Sequence, residues 1–80
     1  METNSLSDFL ETLGITPESF QAFASQGRAV NSRYHVQVVR FEVAIRFFVR
    51  DPIEFKSEFM TALAEVLSAF VEWRKEQDHA

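Results

Sequence analysis

Apolar and polar positions along these 80 residues fall into four patterned blocks, and three of them repeat with a helical period. In the first, Leu6, Phe9, Leu10 and Leu13 stand at i, i+3, i+4 and i+7 on one helical face. Asn4 or Ser5 is placed to cap its start, and Ser5 with Asp8 three residues on resembles a capping box. Gly14 is positioned as the left-handed residue that ends the helix, with Ile15 folding back onto Leu10. The second block opens at Thr16 as N-cap, with Pro17 at the first helical position, where a missing N–H costs nothing. Phe20, Phe23 and Ala24 form its apolar stripe, and Gly27 is read as its stop.

The third block breaks the pattern. Over residues 38–50, Val39, Phe41, Val43, Ile45, Phe47 and Val49 alternate with Arg40, Glu42, Ala44, Arg46, Phe48 and Arg50. Alternation of β-branched and aromatic residues predicts a half-buried strand at about 39–50. Asn31-Ser32-Arg33 reads as a turn before it. The phase changes at Val38–Val39, which implies a bulge or bend, and a short partner strand is expected near 28–30 or 34–37.

The fourth block is a long helix. Asp51 is its expected N-cap, Pro52 its N1 and Glu54 its capping-box glutamate. Phe55, Phe59, Ala62, Val66, Phe70 and Trp73 run along one stripe, and neither Gly nor Pro interrupts residues 53–78. At about 1.5 Å per residue such a helix matches the span of the long strand. The expected fold is therefore α+β, with two short N-terminal helices, a long amphipathic strand with a short partner strand, and a long C-terminal helix packed on the sheet. The chain reads as a single domain over 1–80.

One strand with a short partner leaves most of its edge unpaired, a hazard that folded proteins cover. Pairing with a second copy is the favoured solution, and addition to another protein's sheet is the alternative. Composition agrees with self-association. A chain this short buries a limited core, and with no cysteine it has neither disulfides nor thiolate zinc to reinforce one. Nine of its aromatic residues are Phe, which buries well without a hydrogen-bond partner.

Charge separates along the chain. Residues 1–27 carry four acids and no base, residues 28–50 five arginines and one glutamate, and residues 51–80 seven acids and three bases. An arginine-lined face of this kind can meet nucleic acid phosphates, with Tyr34 and Phe48 as stacking surfaces. The overall net charge of −4 opposes that reading, and pairing of the arginines with Glu42 across a self-paired strand, or with acids of a neighbouring subunit, is favoured over it. Candidate interface residues are accordingly Arg40, Phe41, Val43, Ile45, Arg46, Phe48 and Arg50 on the strand, with Trp73 as either an interface anchor or an edge-of-core residue.

No catalytic constellation is legible. The two glycines are accounted for as helix caps, His35 and His79 have no ligand-like spacing, and Glu54 with Glu58 reads as a solvated helical turn. The expectation is a non-enzyme with neither cofactor nor metal. The stretch METNSLSDFLE has no basic region or long apolar run, so a cytoplasmic protein without a signal peptide or membrane span is expected.

From Phe20–Phe23 through Ser25-Gln26-Gly27-Arg28-Ala29-Val30, the segment Phe41–Val49, Asp51-Pro52 and the closing Phe70-Val71-Glu72-Trp73-Arg74, the chain resembles the N-terminal part of the R-type tail-completion proteins of temperate contractile-tailed phages. The resemblance spans roughly Glu18 to Asp78 through short motifs. It implies a structural assembly protein that joins itself, or other tail or host proteins, through sheet edges.

Overall fold

A computed structural model describes residues 5–78, with side chains from Asp8 onward, as four α-helices: α1 (Ser5–Thr12), α2 (Pro17–Gly27), α3 (His35–Arg50) and α4 (Lys56–Asp78). Among the described residues there is no strand. The expected α+β fold is therefore corrected to an all-helical one. The proposed caps at Asn4 and Ser5, the Leu6 side chain and His79 lie outside what is described.

The first two helices form as their sequences direct. Gly14 adopts a left-handed conformation, φ 78°. Its N–H reaches the Glu11 carbonyl at 2.9 Å, and that of Ile15 reaches the Leu10 carbonyl at 2.9 Å. These two bonds make the Schellman closure that satisfies the helix's last acceptors. Thr16 caps α2, its Oγ1 accepting from the Ser19 N–H at 3.1 Å, with Pro17 in the first turn. α2 ends at Gly27, as expected, but the glycine has a further role there. Its backbone is not left-handed, the chain stays helical through it, and a methyl there would overlap Val38 Cγ2. It is the place where α2 and α3 touch backbone to side chain.

The segment expected to be a long strand is α3. Tyr34, Val38, Phe41, Ile45 and Phe48 stand at i, i+4, i+7, i+11 and i+14, and they are the residues that face the core, the first three buried and the last two half-buried. That is a helical stripe. The expected partner strand is absent as well: 28–34 is a loop held by the Ser32 N–H on the Ala29 carbonyl (2.9 Å) and the Tyr34 N–H on Ser32 Oγ (3.1 Å), and 35–37 is the first turn of α3. The turn expected at Asn31-Ser32-Arg33 lies inside this loop.

After α3, Asp51 accepts the Glu54 N–H on Oδ1 at 3.2 Å, as an N-cap does, and the regular helix begins a turn later at Lys56. The short connection lays α4 antiparallel beside α3, the most extensive helix pair of the fold. Between α2, α3 and α4 lies a core made largely of rings. Phe23 is fully enclosed, with Phe20, Tyr34, Phe70 and Trp73 around it at centroid distances of 5.5–5.8 Å. Tilted and edge-on pairs of this kind add about 0.5–1.5 kcal/mol each beyond area burial.

Candidate functional site

A helix that fills a core along one stripe normally turns charge to the solvent along the other. α3 does not. Val36, Val39, Val43 and Phe47, at i, i+3, i+7 and i+11, form a second apolar stripe on the side away from the core, with exposures of 58%, 37%, 43% and 43%. Beside this ridge, α3 and α4 enclose an open groove of about 740 Å³. Its floor and walls are the ridge residues with Phe55, Thr61 and Ala62, and its rims carry Arg40, Glu58 and Glu65. Phe47 leans on Phe55 with ring centroids 5.1 Å apart. Val49 and Ile53, near the same end of the molecule, are among the most exposed apolar side chains.

The residues singled out in the sequence divide between two environments. Phe41 is buried edge-on to Phe20 at 5.9 Å. Ile45 is half-buried against the core, and Phe48 stacks on Phe59 at 4.3 Å. Trp73 is buried and donates from Nε1 to Gln26 Oε1 at 3.1 Å, which ties the end of α4 to α2. These four build the core. Val43, Arg40, Arg46 and Arg50 are exposed. Arg40 pairs with Glu65 of α4 at 3.2 Å, whereas Arg46 and Arg50 have no carboxylate within 4.0 Å among the described residues. Val36, Val39 and Phe47, with the half-buried Phe55, join this surface without having been singled out. The signal for the first three was the i, i+3, i+7, i+11 spacing, which the alternation obscured.

With no strand among the described residues, an arginine-lined sheet face, pairing through a long strand and addition to another protein's sheet all fall away.

On the opposite side of Arg40 a second recess, of about 630 Å³, has Tyr34 and Gln37 in its wall. The Tyr34 hydroxyl and Gln37 Oε1 are buried without a hydrogen-bond partner among the described residues. Burial pushes the Tyr34 hydroxyl above its usual pKa of 10.0, and the Glu76 carboxylate adds to the shift while the nearby Arg33 opposes it. Arg33 lies over the Tyr34 ring at 5.3 Å and pairs with Glu76. Of the two histidines, His35 is committed to structure: its Nδ1 lies 3.1 Å from the Arg28 carbonyl, to which it donates. Among the described residues no group of three His, Cys, Asp or Glu side chains is placed to hold a metal ion, and no helix is long and apolar enough to cross a membrane.

No protein-family model, curated protein or solved structure matches this chain. The class the fold defines is a small four-helix domain with an apolar ridge and groove on one face.

Proposed function

We propose that the chain is a non-catalytic protein–protein interaction module, acting in the cytoplasm, that docks through the outward ridge of α3 and the groove between α3 and α4. The observation that carries this is the second apolar stripe, four consecutive ridge positions at helical spacing with Phe55 beside them. Contiguous exposed apolar surface of this kind on a small protein marks a contact site, because water penalises leaving it bare. The rim supports the same reading: apolar centre and charged border are the usual anatomy of a protein contact. Assembly of a phage tail, which the resemblance to tail-completion proteins implies, is one setting for such a module.

Replacing Val43 and Phe47 together by Glu tests it. Both side chains lie on the surface, so the variant is expected to stay helical and to unfold within about 1–2 kcal/mol of the parent once association is excluded. It is also expected to lose whatever complex the parent forms. A variant that fails to fold would place these residues in the core, and a folded variant with unaltered associations would remove the ridge as the contact.

A further inference from the structure

The reading of α3 and α4 as a contact face leaves its occupant open, and the inference that follows rests on that reading. We infer that the ridge seats a second copy of this chain, α3 lying antiparallel against α3, on a two-fold axis that passes beside Val43.

The two helices that border the groove differ in chemistry. The outward row of α4 is Glu58, Thr61, Glu65, Ser68 and Glu72, spaced at three and four residues. Valines laid on that row would strip water from carboxylates with nothing to replace it. The apolar surface on this face that can cover Val36, Val39, Val43 and Phe47 is another such ridge. A two-fold contact uses the same patch twice, so like meets like.

Spacing permits the antiparallel direction, and charge selects it. Val39 and Phe47 stand four residues to either side of Val43, and Arg40 and Arg46 three residues to either side. Turning one α3 over about Val43 sets Val39 against Phe47 of the second copy and Val43 against itself. It also separates the two Arg50 side chains by about 14 helical steps, roughly 21 Å at 1.5 Å per residue, beyond the screening length at physiological salt.

Charge supports the same partner. Both flanks of the ridge mix bases with acids. On the groove side these are Arg40 and Glu65, already joined at 3.2 Å, with Glu58 on the same rim. On the far side they are Arg46, which has no carboxylate within 4.0 Å among the described residues, and Glu42, held by Arg28 at 2.7 Å. The antiparallel turn brings Arg46 of one copy within a helical turn of Glu42 of the other. The Arg46 charge thus meets an acid on the second copy, which suits a two-fold contact.

Because the chain has no cysteine, single introduced thiols report the geometry cleanly. The experiment compares Val43→Cys with Val49→Cys, an exposed position elsewhere on α3, under mild oxidation, beside light scattering of the unaltered chain and of Phe47→Glu. The expected results are twice the chain mass for the parent, a single chain mass for a folded Phe47→Glu, and disulfide dimers forming at Val43→Cys about tenfold faster than at Val49→Cys, from the raised effective concentration at the axis. A parent that stays monomeric at every concentration, a trimer or larger ring, or equal cross-linking at the two positions overturns the inference. If the parent is monomeric while Phe47→Glu folds with only the small loss expected of a half-exposed ring, the ridge is free and the interaction reading survives with another occupant. If Phe47→Glu fails to fold even in isolation, the ridge is core and both fall together.

Discussion

Phe41 and Phe47 decide between the two periodicities of the central segment, because a strand treats them alike and a helix does not. Six residues apart, they share a face in an alternating strand. In α3 they point about 120° apart, Phe41 at 5% exposure against Phe20 and Phe59, Phe47 at 43% on the outward ridge. Truncating Phe41 to Ala removes a buried ring, leaves a cavity and breaks two aromatic contacts, which costs about 3–5 kcal/mol. Truncating Phe47 loses only partial burial and one contact to Phe55, about 1–1.5 kcal/mol after scaling full burial of a Phe to the part that is covered. A domain of this length has on the order of 4–12 kcal/mol in total, so the first change brings it to the edge of unfolding and the second does not. Both are to be made on a Val43→Glu background, so that association contributes to neither. Urea unfolding followed by the fluorescence of Trp73, the sole tryptophan, reads both, since that ring sits within 5.8 Å of Phe23 and Phe70. Equal losses, or a larger loss at Phe47, would refute the helical placement of the whole segment.

Gly27→Ala places a methyl on Val38 Cγ2, and Val38 is itself fully buried, so α3 must shift; destabilisation of about 1–3 kcal/mol is expected despite the better helix propensity of Ala. Adding Val38→Ala should recover part of the Gly27→Ala loss, a coupling that thermal unfolding of the two single variants and the double variant would measure. Tyr34 is the only tyrosine, so the ultraviolet signal of phenolate formation reports it alone. Its folded pKa is raised, hence its contribution to stability is whole below the unfolded value of 10.0 and is lost as pH rises through the folded value. Ionisation at the value of free tyrosine in the folded chain would contradict its burial.

Three of the four helices were legible because each has punctuation as well as period. Thr16-Pro17 opens α2, Gly14 closes α1 with a left-handed turn, and the Asp51 side chain bonds the Glu54 N–H just ahead of α4. Such signals act over three or four residues and depend little on what the rest of the chain does. Gly27 shows the limit of the same reasoning. At a helix end it reads as a stop, yet the constraint on it is the approach of Val38, eleven residues away in sequence, which no local rule contains.

α3 was misread because it has two jobs and no cap. Tyr34 precedes it without a capping side chain, and Asp51 follows it in a non-helical conformation, so neither end announces a helix. Between those ends two apolar stripes share one helix: Val38, Phe41, Ile45 and Phe48 inward, Val36, Val39, Val43 and Phe47 outward. Written out in order, two opposed helical stripes fill nearly every second position, and the sum imitates the period of a strand. Phe48 was the clue against alternation, since a strand would have put a large ring among its solvent-facing arginines. The same superposition explains why core residues and ridge residues fell into one candidate interface. A helix needs one apolar stripe to fold; the second stripe, which hid the fold in the sequence, is surplus to folding, and that surplus is the physical ground for assigning it to a partner.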